Sequence, residues 1–209
     1  MKIAISTTSD VELLRLMLAG DAGAFEQIYQ RWQSPIFRFA MRLSGSQTIA
    51  EDVTQEVFLA LIRDGHQYGE RGSFAAYIFT IARNRVWRRL RRERWFVKIE
   101  AVEPDDTTAM ERQDRLIAQE DPLADLTREE IISAVRRAVI ALPVHYREVV
   151  LLCYLHELSY ADAAQVIGCE IGTVRSRLHR ARALLAEKLD AMKTTAAPQK
   201  NVKLSRCLA

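Results

Sequence analysis

Between Ser159 and Leu185 two amphipathic segments are separated by only a three-residue turn, Cys169-Glu170-Ile171, which follows Gly168. No other stretch constrains the fold as tightly. Ser159 caps the first segment, Tyr160 to Ile167, with Asp162 at the capping-box position, and Gly168 stands where a helix wants a left-handed C′ residue. Helix, short turn and helix make the helix-turn-helix plan, and Ala164 supplies the small residue needed where the two helices approach. At about 100° per residue, Val174, Leu178, Ala181 and Leu185 share one face of the second segment and form its core side. The opposite face shows Gly172, Ser176, His179 and Ala183, with Arg175 and Arg180 on its shoulders. Short donors flanked by arginines suit the DNA major groove, where Arg pairs bidentately with guanine and neighbouring charges hold phosphates. Arginines on a lone helix face are more often merely solvated. The capped helix and turn in front of this one favour a duplex reader. His179 has no partner at metal-ligand spacing and reads as DNA-facing or solvated, and Cys169 as a packed turn residue.

The rest of the chain is also patterned for helices. Only 8 Gly and 5 Pro occur in 209 residues, strand-like alternation is nearly absent, and apolar residues make up 49% and recur at helical spacing. The fold class expected is all-α. Ser9 caps a short helix through Leu18. Asp21 caps a longer one reaching Leu43, with Pro35 as a kink and Gly45 as its stop. Ser46 starts a helix from Gln47 to about Arg63, Gly65 to Gly72 forms a loop, and Ser73 caps a helix from Phe74 to about Trp95. Thr127 with Glu130 forms a capping box before a helix from Arg128 to Ala141, and Pro143 suits the first turn of a helix running to about Leu158.

The net charge of +3 is too small to announce a nucleic-acid protein, so its distribution carries the information. Positive charge gathers at Arg83, Arg85, Arg88, Arg89, Arg91, Arg92, Arg94 and Lys98, and again at Arg175, Arg177, Arg180 and Arg182. Between the clusters lies an acidic stretch from Glu100 to Asp125 that reads as a solvated, flexible linker. The expected organisation is therefore two small helical domains, 10–98 and 127–190, a linker at 99–126, and a disordered tail at 191–209. Cys153, Cys169 and Cys207 lack ligand or disulfide-framework spacing, which fits a reduced cytoplasm, and no signal peptide or membrane-length apolar run is found, so a soluble protein is expected. No phosphate-binding Gly loop, paired catalytic carboxylates or nucleophile motif appears, so no enzyme activity, cofactor or metal is expected.

Two further helix faces are informative. In the segment from Phe74, the residues Phe74, Ile78, Phe79, Ile81, Ala82, Val86 and Leu90 form a broad apolar side. The remaining strip, Tyr77, Thr80, Asn84, Arg88 and Arg91, combines an aromatic, short hydrogen-bonding groups and cations, a mixture suited to opened single strands. The alternative is that Tyr77 belongs to the core and the basic run is a helix end favoured by the dipole. Trp87 and Trp95 fit packing and stacking equally, and the Gln67 to Ser73 loop could hold a flipped base. In the Gln47 to Arg63 segment, Ala50, Val53, Val57 and Leu61 face the core, while Asp52, Gln55, Glu56, Leu59 and Ile62 lie opposite. Exposed Leu and Ile among acids indicate a protein interface, to which a basic coiled coil would be complementary.

With these residues in view, the chain resembles the sigma-70 family, in its small two-domain extracytoplasmic-function (ECF) group, over about residues 10 to 190. Ala50 to Phe58 is similar to the family's region 2 core-binding motif, Gly72-Ser73-Phe74 through Asn84 to its melting and minus-10 reading segment, and Leu158 through Arg182 to its region 4 helix-turn-helix. The resemblance implies an alternative sigma factor. Asp52, Gln55, Glu56 and Leu59 would dock on the clamp helices of the largest subunit of core RNA polymerase, with the flap as a further contact. Arg175, Ser176, His179 and Arg180 would read minus-35 duplex, and Tyr77, Thr80, Asn84 and Arg88 the opened minus-10 strand. Promoter DNA and an anti-sigma factor are the other implied partners, and the acidic linker would thread near the RNA path. Glu170 departs from the Ser or Pro often found at the start of the family's recognition helix; its carboxylate favours the helix N-terminus but repels a nearby phosphate. The tail after Asp190 is a second departure. A stand-alone helix-turn-helix regulator would leave the Gln47 to Arg63 face and the Tyr77 strip unexplained, and a sigma-like decoy for an anti-sigma protein should have lost its base-reading side chains.

Overall fold

The computed structural model describes residues 8–69, 72–100 and 128–196, all helices, turns and loops with no strand among them. The helices are α1 (Asp10–Leu18), α2 (Ala22–Ser44), α3 (Gln47–Asp64), α4 (Phe74–Glu100), α5 (Arg128–Ile140), α6 (Val144–Val150), α7 (Tyr160–Ile167) and α8 (Ile171–Ala196). No helix among the described residues is long and apolar enough to cross a membrane.

Their starts are set by the capping residues read from the sequence. Ser9 Oγ accepts from Glu12 N at 3.2 Å, Asp21 Oδ1 from Gly23 N at 2.8 Å, Ser46 Oγ from Ile49 N at 3.3 Å and Ser73 Oγ from Ala76 N at 3.1 Å. Each bond satisfies one of the orphan N–H groups of a first turn, worth about 1 kcal/mol apiece. Gly45 ends α2 at φ 74°, in the left-handed region that its missing Cβ makes accessible. Pro35 lies inside α2 without ending it.

The first domain packs α2 against α1, α3 and α4. Its core is built from Ile28, Ile36, Phe39, Val53, Val57, Leu61, Ile78, Phe79 and Val86, all nearly inaccessible, so the apolar stripe expected for α3 and most of that for α4 is the buried one. In the second domain α8 packs on α5, α6 and α7 through Val174, Leu178 and Ala181.

Several expected boundaries differ. The basic helix runs to Glu100, past Trp95 and past the expected domain edge at 98, because nothing in Arg94 to Glu100 breaks a helix. Pro143 is the N-cap of α6 rather than a residue in its first turn. The helix expected to reach Leu158 is α-helical only to Val150; a π-helical turn, Leu151–Leu155, follows, and Glu157 at φ 55° turns the chain toward Ser159. α8 continues to Ala196, so the first six residues expected in a disordered tail are helical. Residues 101–127, which hold most of the linker expected at 99–126 and Thr127 of the expected capping box, and residues 197–209, with Cys207, lie outside the described residues.

The two domains touch. α7 of the second packs on α4 of the first, and the π turn packs on α2. Arg147 on α6 donates to Leu43 O at 3.1 Å, and His156 stands against Phe39 and Phe79, with ring centroids 5.8 and 4.4 Å away.

Candidate nucleic-acid interface

The helix-turn-helix forms as its caps dictate. Asp162 N donates to Ser159 Oγ at 3.0 Å, and Gly168, at φ 74°, donates its N–H to Ala164 O at 2.8 Å while Cys169 N reaches the same carbonyl at 3.0 Å. One expectation fails: the Asp162 carboxylate does not close a reciprocal capping box. Its Oδ2 accepts from the Ser159 hydroxyl at 2.9 Å, and its Oδ1 accepts from Ser73 N of the first domain at 3.4 Å. The turn holds Cys169 and Glu170, with Ile171 already the first residue of α8.

On α8, Val174, Leu178 and Ala181 are at most 2% exposed, which fixes the rotation of the helix and turns Arg175, Ser176, His179 and Arg180 outward together. Glu170 is exposed beside them. Among the described residues neither Arg175 nor Arg180 pairs with a carboxylate, so both guanidinium forks are available to an external anion. Ser176 donates to Thr173 O at 3.0 Å, which leaves its oxygen facing out as an acceptor. Arg182, two turns beyond Arg175, is braced instead: it donates to Tyr154 Oη, and its guanidinium stands 5.5 Å from the Tyr154 ring centroid. Tyr154 carried no signal in the sequence, because it reaches α8 across 28 residues.

The strip on α4 is arranged differently. Asn84 and Arg91 are exposed, while Tyr77 and Thr80 are half-buried. Tyr77 leans on Tyr68 at 5.0 Å between centroids and donates its hydroxyl to Asp64 O at 3.4 Å; burial, then the Asp64 charge, pushes its phenol upward in pKa. Tyr77 is thus packed on one side and open on the other. Thr80 donates to Ala76 O at 2.7 Å. Arg88, expected to face DNA, donates to Glu56 Oε2 at 2.8 Å on α3.

That bond belongs to a network joining two surfaces that the sequence presents as separate. Arg89 bonds Asp52 Oδ2 at 2.6 Å and also Glu56, and Arg85 reaches Glu56 at 3.3 Å. Burial alone would raise the Glu56 carboxyl, but the hydrogen bond from Arg89 and the charges of Arg89, Arg88 and Arg85 hold it below the usual carboxylate range. Asp52 and Glu56 therefore spend much of their charge inside the chain. What α3 offers outward is Gln55 and two apolar side chains, Leu59 at 64% and Ile62 at 54% exposure. With Phe25, Tyr29 and Phe58 they line a shallow groove between α2 and α3, where the Tyr29 and Phe58 rings meet at 4.7 Å. Exposed apolar surface of this kind is a protein-docking feature.

Residues 28–96 match the family model for Sigma-70 region 2, and residues 132–185 that for Sigma-70, region 4. The chain is 32% identical over 174 residues to an ECF RNA polymerase sigma factor, SigE, of Mycolicibacterium smegmatis, a match covering 81% of this chain and 64% of that protein, so this chain spans less than two thirds of that relative. It is also 32% identical over 187 residues to the ECF RNA polymerase sigma factor SigM of Mycobacterium tuberculosis, covering 89% of this chain and 87% of the relative. Among solved structures, the sigma factor RpoE from Bartonella quintana, crystallised in complex with the anti-sigma factor NepR, superposes with a TM-score of 0.61 at 26% identity, covering 79% of this chain and 96% of that one.

Proposed function

This chain belongs to the sigma-70 family of RNA polymerase sigma factors, in its ECF group, and from that premise we propose how its surfaces divide the work of promoter-specific initiation. The helices of the first and second domains correspond to sigma regions 2 and 4, and the factor works with core RNA polymerase and promoter DNA. We take the first domain to span 10–98 with its helix running slightly beyond, the second 127–190, and the acidic stretch between them to be the linker that lets them reach separate promoter elements.

Gln55 and Leu59, with Ile62 and the outer edges of Asp52 and Glu56, form the polymerase-docking face for the clamp helices of the largest subunit. Leu59 is its centre, since a desolvated apolar anchor carries more binding energy than rim charges. Ile132 and Val135 on α5, 40% and 41% exposed, give the second domain an apolar face of its own for the flap. Arg175, Ser176, His179 and Arg180 read minus-35 duplex: α8 enters the major groove N-terminus first, as in other helix-turn-helix proteins. Tyr77, Thr80 and Asn84 contact the opened minus-10 strand, with Arg88 joining them when it leaves Glu56. An anti-sigma protein is a further partner, which the groove beside Leu59 could seat. The factor acts in the cytoplasm, where core polymerase is, and we assign it no reaction of its own.

The observation that carries this reading is the outward-facing Arg175, Ser176, His179 and Arg180 in the same chain as the exposed Leu59 and Ile62. A helix-turn-helix regulator acting alone has no use for the second surface. Gel filtration with core polymerase tests it: Leu59→Asp should fail to co-elute while Arg180→Ala co-elutes as the unaltered protein does. Loss of co-elution in Arg180→Ala, or its survival in Leu59→Asp, contradicts the division.

A further inference from the structure

Two side chains on α4 lie beside the strand-reading strip without belonging to it. Arg83 and Trp87 are one turn apart, and at about 100° per residue Trp87 falls roughly 20° around the helix from Thr80. That flank is occupied from the second domain. Glu148 of α6, 1% exposed, accepts from the Arg83 guanidinium and from the Trp87 indole N–H, the latter at 3.1 Å, and both donors converge on the same oxygen, Oε1. The Arg83 guanidinium also stands 6.0 Å from the Trp87 ring centroid. Around this contact the interface covers the start of α4: Asp162 takes the Ser73 N–H, and Gln165 lies so close to Gly72 that a Cβ there would come within 2.2 Å of its Oε1.

A guanidinium and an indole N–H converging on one anionic oxygen, beside an aromatic face, is also what a nucleic-acid strand requires: donors for a phosphate and a surface on which an unpaired base stacks. Cohesion alone does not call for a carboxylate here, because a buried ion pair is seldom better than apolar residues of equal volume. It suits an interface that parts, since each face keeps water-compatible groups once separated. Parting is required in any case. The two promoter elements, by their positions, are about 25 base pairs apart, or roughly 85 Å along B-form DNA, whereas α7, one turn from the recognition helix, touches α4.

We propose that Arg83 and Trp87 contact the opened minus-10 strand and that Glu148 fills their phosphate site in the free chain, so that strand binding and docking of the two domains exclude each other. The proposal rests on the reading of α4 as the strand-reading helix.

The test is binding of a fluorescein-labelled single strand of about 20 mixed-sequence nucleotides to the full chain at low salt. Glu148→Gln keeps the side chain's shape and removes its charge, and should bind the strand about tenfold more tightly, the size of one base stack. The gain should vanish when Arg83→Ala or Trp87→Ala is added. Unchanged strand affinity in a Glu148→Gln protein of normal helical content overturns the proposal, as does a gain that survives both added substitutions. If Glu148→Gln does not fold, small-angle scattering of the unaltered protein decides: its radius of gyration should rise as the strand saturates it, and saturation without expansion overturns the proposal. Adding Asn84→Ala to Glu148→Gln separates the two readings. A gain that needs Asn84 but neither Arg83 nor Trp87 leaves the strip standing and removes this proposal, whereas a gain that needs Arg83 and Trp87 but not Asn84 upholds the flank and removes the strip.

Discussion

α4 and α8 are both long, arginine-rich helices, and their arginines live in different circumstances. On α4, Arg83 is held by Glu148, Arg85 and Arg88 by Glu56, and Arg89 by Asp52 and Glu56. On α8, Arg175 and Arg180 face solvent with no described carboxylate against them. The difference follows from the neighbours. α4 lies between acid-bearing helices of both domains, whereas α8 packs its apolar face and leaves Arg175, Ser176, His179 and Arg180 exposed. On the roles proposed above, duplex would meet no described carboxylate on the outer face of α8, while a strand on α4 would compete with Glu56 and Glu148. The proposed duplex reader is thus open in the free chain, and the proposed strand reader is engaged by carboxylates.

The largest way to disturb this contrast is acid. His156 sits against Phe79 of α4, and burial, then the charges of Arg38 and Arg42, lowers its pKa from 6.5 to about 4. Between those values the unfolded chain holds a proton that the folded chain refuses. The stability is therefore complete above about pH 6.5 and is lost as pH falls toward 4, by up to about 3 kcal/mol. Thermal melts across that range should show it, and His156→Asn should flatten the profile; an unchanged slope in the variant would place the pH dependence elsewhere. Arg180→Ala comes next. It should weaken minus-35 duplex binding by about 2 kcal/mol, roughly 30-fold, with no shift in Tm, because the side chain has a base to lose and no fold partner. A fall in Tm would show that Arg180 has a partner within the fold.

Glu56→Gln should do the reverse, lowering stability by about 1 kcal/mol with little effect on duplex binding, since the network is part-exposed and screened. As the Glu56 carboxyl is held below its ordinary value, its contribution is present above about pH 4.5 and fades as pH drops through the folded value, a dependence the variant should lack. The smallest effect is expected from Ser9→Ala, about 1 kcal/mol or less from one lost cap, readable as a small drop in Tm with neither nucleic-acid surface altered.

The features legible in the sequence are those written locally. Caps lie three residues from what they cap, and core faces repeat with the helical period, so Ser46, Ser73, Ser159 and Gly168, and the stripes of α3 and α8, could be found without a structure. The same locality explains the misses. Glu56 meets Arg89 across 33 residues, Glu148 meets Arg83 across 65, and Asp162 meets Ser73 across 89. No periodicity encodes such pairings, because they depend on how helices and domains dock. One signal was available for Glu148: it stands an α-turn before the buried Leu151 and Leu152, and an acid on an apolar face needs a partner. The π turn left no trace, since Leu151 to Leu155 reads as ordinary helix. Among the candidate site residues, the duplex set lies together and exposed, while the strand and polymerase sets proved to be linked through Arg88 and Glu56.

The most direct measurement is initiation itself: core RNA polymerase, with and without this protein, transcribing fragmented genomic DNA of the source organism, with every start site mapped. New start sites that appear only when the protein is present, and that share two sequence elements near minus-35 and minus-10, are the result predicted. Core enzyme that neither associates with the protein nor gains a start site would contradict the account.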